Sequence, residues 1–160
     1  MRPIIRKVEP GDNVRLAYII RHVLKEFKAN KPGTAYFESQ TDNIYDLFQK
    51  VGSIYFVAQL NGEIIGGSGI YATDNLPEGY CELVKLYLLK EARGSGLGKL
   101  LMDKCFVWAK DNGYTHIYLE SMSELSNAVS IYEKMGFTQI NKPLGNSGHE
   151  ACGIWMIKEL

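Results

Sequence analysis

The strongest structural signal in the chain lies in residues 82–101, which read ELVKLYLLKEARGSGLGKLL. The first half, residues 83–89, is almost continuously apolar, as is typical of a strand that is buried on both faces. The second half has glycine at alternate positions, Gly94, Gly96 and Gly98, and leads directly into apolar residues at helical spacing. The segment therefore predicts a strand, a glycine-rich turn and the start of a helix.

A glycine-rich turn at a helix start is suited to binding anions, because the first N–H groups of the helix lack partners and lie at the positive end of its dipole. A Walker loop needs four residues between its glycines, whereas Gly94 and Gly98 enclose three. A dinucleotide-binding loop that begins at Gly94 or Gly96 needs a further glycine at position 99 or 101, where the chain has lysine and leucine. Spacing therefore excludes both nucleotide loops.

The composition restricts the class of protein. With 160 residues the chain can bury roughly 70% of its unfolded surface, so we expect one domain over residues 1–160. Lys and Arg total 18, as do Asp and Glu, and this balance gives no reason to expect nucleic acid or an anionic membrane as a partner. No apolar run approaches the ~20 residues of a membrane span, and residues 1–10 lack a signal-peptide core, which predicts a cytoplasmic protein.

The three cysteines, Cys81, Cys105 and Cys152, are widely spaced and odd in number, which argues against a disulfide framework. Because no Cys-x-x-Cys pair is present, the sequence also predicts no metal site. Cys81 and Cys105 lie in apolar segments and are expected in the core.

The remaining segments alternate between strand and helix patterns. Asn61-Gly62 between two β-prone runs predicts a hairpin with a type I′ turn, and Asp12 is expected to cap the first helix. The order β-α-α-β-β-β-α-β-α-β-β predicts an α/β (α+β) domain with a mixed, mostly antiparallel sheet of about seven strands and about four helices. The predicted strands are residues 4–8, 53–60, 63–72, 82–89, 115–122, 137–141 and 151–158, and the helices are about 12–27, 43–51, 96–111 and 123–134.

Two motifs at the right order and distance resemble those of the GNAT N-acetyltransferase superfamily. Residues 93–98, Arg-Gly-Ser-Gly-Leu-Gly, follow an apolar strand and resemble the Arg-x-x-Gly-x-Gly loop that holds the pyrophosphate of acyl-CoA in that family. Residues 132–137, Tyr-Glu-Lys-Met-Gly-Phe, resemble its Tyr-x-x-x-Gly-Phe helix end. With the preceding hairpin, the resemblance covers nearly the whole chain.

The resemblance implies direct transfer of an acetyl group from acetyl-CoA, as co-substrate, to a primary amine of a small molecule, peptide or protein in a ternary complex, without a metal. Backbone amides of residues 94–99 would hold the pyrophosphate, while the Arg93 side chain would either brace the loop or meet the phosphates. Many members carry an asparagine at the position of Leu125, so Asn127 is a weaker candidate. The residues expected at acetyl-CoA are Leu86, Tyr87, Leu88, Arg93, Gly94, Ser95, Gly96, Leu97, Gly98, Lys99 and Asn127.

The resemblance also implies two catalytic residues. Glu82 would accept the proton of the amine, directly or through water, or else it only pairs with a basic side chain. Strict alternation along the strand places Glu82 on the same face as Val84, Leu86 and Leu88, where apolar neighbours raise the pKa of a carboxyl group. Tyr132 would donate a proton to the leaving thiolate, or else its ring only packs one face of a short helix.

The acceptor amine cannot be identified from the sequence. Family members hold it near the counterparts of residues 29–51 and of the last loop. Tyr36 and Phe37 either line this pocket or fill a gap between helices, and His149 is an alternative base or substrate contact. A non-catalytic acyl-CoA sensor with the same fold is the alternative to an enzyme, and a homodimer is left open.

Overall fold

The computed structural model describes residues 2–148 and 151–160. Within these residues the chain forms one seven-stranded sheet in the order β1-β2-β3-β4-β5-β7-β6. Among the strands of the described residues, only β4 and β5 pair in parallel, which confirms the predicted mixed, mostly antiparallel sheet. The strands are Ile4–Lys7 (β1), Ile54–Leu60 (β2), Glu63–Tyr71 (β3), Tyr80–Leu88 (β4), His116–Ser121 (β5), Thr138–Ile140 (β6) and Ile154–Glu159 (β7), and the helices are Asn13–Glu26 (α1), Ile44–Leu47 (α2), Leu97–Asp111 (α3) and Ser126–Lys134 (α4).

Helices cover both faces of the sheet, and each face has its own apolar core. Leu16 and Ile20 of α1 pack with Val57 on one face, whereas Leu101 and Cys105 of α3 pack on the other. The core on the α3 side also contains Cys81 and Met156. Burial raises the pKa of the Cys81 and Cys105 thiols to about 12, so both behave as core residues, as predicted. Among the described residues, no helix combines the length and apolarity needed to cross a bilayer.

The predicted hairpin is confirmed. Asn61 and Gly62 both have positive φ, 52° and 82°, as the type I′ turn requires. Farther along β3, a Cβ added to Gly67 would lie 2.6 Å from the Tyr55 ring, so glycine at this position permits the close packing of the two strands.

Several local expectations are wrong in detail. Asp12 precedes α1, but its side chain makes no cap hydrogen bond to the helix; instead its carboxylate accepts from the Glu9 N–H at 2.7 Å and from Arg6 at 2.9 and 3.0 Å. The helix predicted over 43–51 is limited to Ile44–Leu47. The 3-10 turn Lys90–Ala92 separates β4 from the glycine loop, because the Ala92 N–H bonds to the Leu89 carbonyl.

A β-bulge at Lys85 interrupts β4. Gly67 and Gly69 of β3 pair with Tyr87 and Val84, so β4 carries one more residue than β3 between these pairs. Lys85 has a φ of 54°, a left-handed conformation that is costly for a residue with a Cβ. The bulge shifts every side chain that follows it.

The predicted alternation along β4 is therefore wrong beyond Val84. Val84 and Tyr87 pack in the core on the α1 side, whereas Leu86 and Leu88 pack in the core on the α3 side. Glu82 shares the face of Val84 and Tyr87, not that of Leu86 and Leu88.

Strands β4 and β5 diverge soon after they meet. Their parallel pairing joins only Tyr80, Cys81 and Glu82 to residues 116–118. Within the described chain, residues 83–88 of β4 thus pair with β3 alone, and the opposite strand edge faces the gap between β4 and β5.

Candidate active site

Two cavities meet where β4 and β5 separate. The larger, about 660 Å³, lies between the glycine loop, β4 and the start of α4. The smaller, about 80 Å³, is lined by the buried part of β4 and the end of β5. Both cavities share four residues of their walls, Leu86, Tyr87, Leu125 and Tyr132. The two cavities therefore lie next to each other at these residues.

The glycine loop forms one end of the larger cavity. Gly94 and Gly96 have φ of 79° and 81°, which only glycine adopts readily. Helix α3 begins at Leu97 without a side-chain cap, and the Leu100 N–H bonds to the Gly96 carbonyl at 3.1 Å. The N–H groups at positions 97–99 lack helical acceptors. Since Leu97, Gly98 and Lys99 line the cavity, its wall presents an anion-binding helix start.

The Arg93 side chain links the glycine loop to α1 and to the end of β4 through hydrogen bonds. Its guanidinium donates two hydrogen bonds of 2.7 Å to the Glu26 carboxylate of α1 and two more, of 3.1 and 2.9 Å, to the Leu88 carbonyl at the end of β4. It also lies 4.9 Å from the centre of the Phe27 ring. The hydrogen bond from Arg93 lowers the pKa of Glu26. These contacts favour the bracing role over direct contact with phosphates.

The other residues predicted at acetyl-CoA line the larger cavity, with one exception. Ser95 is absent from the wall among the described residues, and its hydroxyl donates to the Ala92 carbonyl at 2.8 Å. The Lys99 ammonium is engaged by Asp103 at 2.9 Å, while Asn127 lies in the first turn of α4. The predicted residues that the wall includes are Leu86, Tyr87, Leu88, Arg93, Gly94, Gly96, Leu97, Gly98, Lys99 and Asn127.

The smaller cavity is rich in ionisable groups. Glu82, only 2% exposed, accepts a hydrogen bond of 2.6 Å from the Thr73 hydroxyl. Glu120 accepts one of 2.6 Å from the Tyr118 hydroxyl. Lys85 lines the same cavity, and burial lowers the pKa of its ammonium group. Both signs of charge are thus present in a confined space.

Tyr132 stands in the wall of both cavities. Its ring packs edge-on against Phe137 at 5.9 Å, and within the described chain its hydroxyl has no hydrogen-bond partner. Burial, with a smaller contribution from the Cys152 thiol, raises the pKa of Tyr132 to about 12. The phenol is therefore protonated at neutral pH and available as a hydrogen-bond donor.

Tyr36 and Phe37, two of the residues predicted to contact the acceptor, lie outside the described walls of both cavities. Tyr36 packs against the core on the α1 side and Phe37 is 62% exposed; neither belongs to the described wall of either cavity. Their loop contributes Thr34 and Ala35 to the smaller cavity instead. His149 lies outside the described residues, and its contact with the acceptor remains a prediction.

Lys85, Glu120 and Ser121 of the smaller cavity were not identified as site residues from the sequence. Lys85 had a usable signal, since a lysine inside the apolar run of residues 83–89 is unusual. Glu120 and Ser121 gave none, because only the folded sheet brings the end of β5 to this part of β4. No group of three or more potential metal ligands occurs among residues 2–148 and 151–160.

The splayed strands, the helix start and the adjoining polar cavity form a site with space for an anionic group and a second ligand side by side. The model of the acetyltransferase (GNAT) family matches residues 18–137. An uncharacterised N-acetyltransferase of Escherichia coli, YjgM, is 34% identical over 160 residues, covering 99% of this chain and 95% of that protein. The chain therefore belongs to the GNAT family of acetyltransferases, which confirms the resemblance noted in the sequence.

Solved structures agree in fold. A GNAT-family acetyltransferase from Staphylococcus aureus superimposes with a TM-score of 0.88 at 21% identity, covering 99% of both chains. PaiA N-acetyltransferase from Thermoplasma acidophilum, in complex with coenzyme A, has a TM-score of 0.78 at 21% identity and covers 100% of both chains. The second of these shows that the fold accommodates coenzyme A.

Proposed function

We propose that this protein transfers an acetyl group from acetyl-CoA directly to a primary amine of a small molecule or peptide. The observation that carries the proposal is the meeting of the two cavities at Tyr132, with the helix start on one side and Glu82 on the other. Coenzyme A occupies the larger cavity, and the acceptor amine occupies the smaller.

The larger cavity suits two parts of coenzyme A, the pyrophosphate and the pantetheine arm. Its pyrophosphate accepts hydrogen bonds from the unpaired N–H groups at positions 97–99. Its pantetheine arm, which contains peptide-like amides, lies along the edge of β4 that β5 leaves unpaired. A backbone N–H of this edge polarises the thioester carbonyl and stabilises the negative charge that develops on its oxygen.

Glu82 is the proposed general base. An alkylamine is protonated at neutral pH, with lysine near ~10.4 as a guide, so it must lose a proton before it attacks the thioester carbon. The ammonium group first gives one proton to solvent. The neutral nitrogen then bonds to that carbon, the carbon–sulfur bond breaks, the second proton passes from the nitrogen to the Glu82 carboxylate, and the sulfur leaves as the thiolate. Burial of Glu82 beside the Thr73 hydroxyl holds the carboxylate in one orientation.

Tyr132 stabilises the leaving sulfur. A thiol titrates near ~8.5, well below the pKa of about 12 for Tyr132, so full transfer of the phenolic proton to a thiolate is uphill. A hydrogen bond from the hydroxyl to the thiolate requires no such transfer and stabilises the charge as it forms. We therefore assign Tyr132 the role of hydrogen-bond donor to the leaving group.

The test is release of coenzyme A from acetyl-CoA with a panel of polyamines, amino acids, aminoglycosides and peptide N-termini. We expect turnover on at least one class, and Glu82→Gln lowers kcat by more than ~100-fold with unchanged affinity for acetyl-CoA, as for loss of a general base. Glu63→Gln, an exposed glutamate at the start of β3, is the matched control and keeps full activity. Full turnover in the Glu82 variant removes it from the mechanism. Binding of acetyl-CoA without turnover on any amine favours the sensor instead.

A further inference from the structure

Lys85 presents a buried ammonium group to the smaller cavity. Its side chain is 5% exposed, and the residue belongs to the cavity wall. The nearest ion-pair partner is a Glu38 carboxylate oxygen at 4.0 Å, beyond hydrogen-bond distance. Across residues 2–148 and 151–160, no hydrogen bond involves its Nζ. An ammonium group has three donors, and in a side chain that is only 5% exposed a ligand with acceptor atoms satisfies them better than the little solvent that reaches it.

The backbone holds Lys85 in this position. The left-handed φ of 54° is strained for a residue with a side chain, and the Tyr55 hydroxyl fixes the bulge by donating to the Lys85 carbonyl at 2.7 Å. A strained, fixed backbone that aims an unsatisfied cation into a cavity is typical of a ligand-binding position.

A second polar group in the wall is also unsatisfied. Ser121, at the end of β5, is 3% exposed and lines the smaller cavity. Its hydroxyl is the buried side-chain polar atom that lacks a hydrogen-bond partner in the part of the chain that the structure describes. Lys85 and Ser121 therefore independently indicate that a polar ligand completes this cavity.

The size and charge of the cavity restrict that ligand. At about 80 Å³, and with roughly 10–15 Å³ needed for each water-sized group, it holds on the order of five to eight non-hydrogen atoms. Its wall carries carboxylates at Glu82 and Glu120 and an ammonium at Lys85. A zwitterion complements both signs of charge, whereas a simple amine leaves the lysine unsatisfied.

We propose that the acceptor is a small amino acid whose carboxylate binds the Lys85 ammonium while its amine faces Glu82 and Tyr132. This inference rests on the proposed acetyltransferase function and adds the class of acceptor. The carboxylate provides the hydrogen-bond acceptor that Lys85 lacks, and Ser121 hydrogen-bonds to the bound amino acid beside the carboxylates. The negative charge of the ligand also raises the pKa of the Lys85 ammonium group, which burial lowers.

The test compares each amino acid with the same molecule lacking its carboxylate. Alanine is paired with ethylamine and serine with ethanolamine, and alaninamide keeps the size of alanine without the charge. In the wild-type protein, we expect kcat/KM to be higher for each amino acid than for its partner. Lys85→Met raises the KM for the amino acid roughly tenfold to hundredfold, as for loss of one charge-assisted hydrogen bond, and leaves the amine unaffected. Lys110→Met, at an exposed lysine in the last turn of α3, is the matched control and retains the preference.

The outcomes separate this inference from the proposed function. Turnover of the simple amines equal to or better than that of the amino acids leaves the acetyltransferase standing and overturns the inference, as does an unchanged preference in Lys85→Met. If no amine is acetylated, calorimetric titration of alanine and serine in the presence of coenzyme A decides the inference: binding lost in Lys85→Met supports it, and absence of binding overturns it. If Lys85→Met does not fold, discrimination between alanine and alaninamide by the wild-type protein performs the same test.

Discussion

Two roles of Arg93, bracing the glycine loop against α1 and binding phosphate directly, predict opposite changes in the affinity for coenzyme A when Glu26 is replaced by Gln. Glu26→Gln removes the charge that holds two of the four guanidinium hydrogen bonds. If Arg93 only braces the loop, the variant loosens it, and coenzyme A binds more weakly because binding must then order the loop. If instead Glu26 restrains an Arg93 that binds phosphate, the same variant frees the guanidinium and coenzyme A binds more tightly.

The structure sets the size of the effect. Both partners of the Arg93–Glu26 pair retain close to 30% of their side-chain exposure, 29% and 28%, so solvent reduces the contribution of the pair to about 0.5–1 kcal/mol. That range corresponds to a roughly twofold to fivefold weaker affinity for coenzyme A. Arg93→Met also removes the hydrogen bonds to the Leu88 carbonyl and should weaken binding by about tenfold or more.

Calorimetric titration with coenzyme A measures both variants, with Glu63→Gln as the charge-matched control. An acetyl thioester of N-acetylcysteamine, which lacks the pyrophosphate, serves as a second substrate, and its kcat/KM should be the same in wild type and Glu26→Gln. Tighter binding of coenzyme A to Glu26→Gln would refute the brace.

Two further predictions concern Tyr132 and the packing of β3. Tyr132→Phe should keep the fold and lose most of kcat. The loss should be smaller with a thioester whose thiol is more acidic, because a better leaving group needs less stabilisation. Wild-type kinetics in this variant would show that the Tyr132 ring only packs against its neighbours. Gly67→Ala places a Cβ 2.6 Å from the Tyr55 ring and 2.7 Å from the Phe56 carbonyl, so thermal unfolding should show a free energy of unfolding lowered by about 1–3 kcal/mol. Gly11→Ala, with open space around its Cβ, is the control and should change that free energy by less than about 0.5 kcal/mol.

Much of the fold follows from local sequence patterns. Asn61-Gly62 predicted its hairpin because the type I′ turn depends on the two residues themselves. The predicted start of α3 differs by one residue from the observed one, at Leu97, since glycines and helical apolar spacing are local signals. The length of α2 was overestimated, because Phe48 and Val51 continue the apolar pattern after the helix has ended.

The site was predictable in part, and the limit has a physical cause. The glycine loop and Tyr132 are recognisable because the resemblance to the family lies in short motifs with set spacing. The face of Glu82 relative to Leu86 was misassigned because a bulge arises from pairing with another strand, which no pattern in residues 82–89 reveals. The sequence could not decide between the two roles of Arg93, because its partner Glu26 is distant in sequence.

The order of strands and helices, the helix-start anion site and the position of Tyr132 were determined by the sequence alone, because each depends on residues close together in the chain. Only the tertiary structure decided that β4 and β5 separate after Glu82, that the two cavities share the wall at Tyr132, and that Lys85 turns into the smaller one. These features depend on strand pairing and on contacts between residues far apart in sequence, where backbone geometry rather than residue type determines the direction of each side chain.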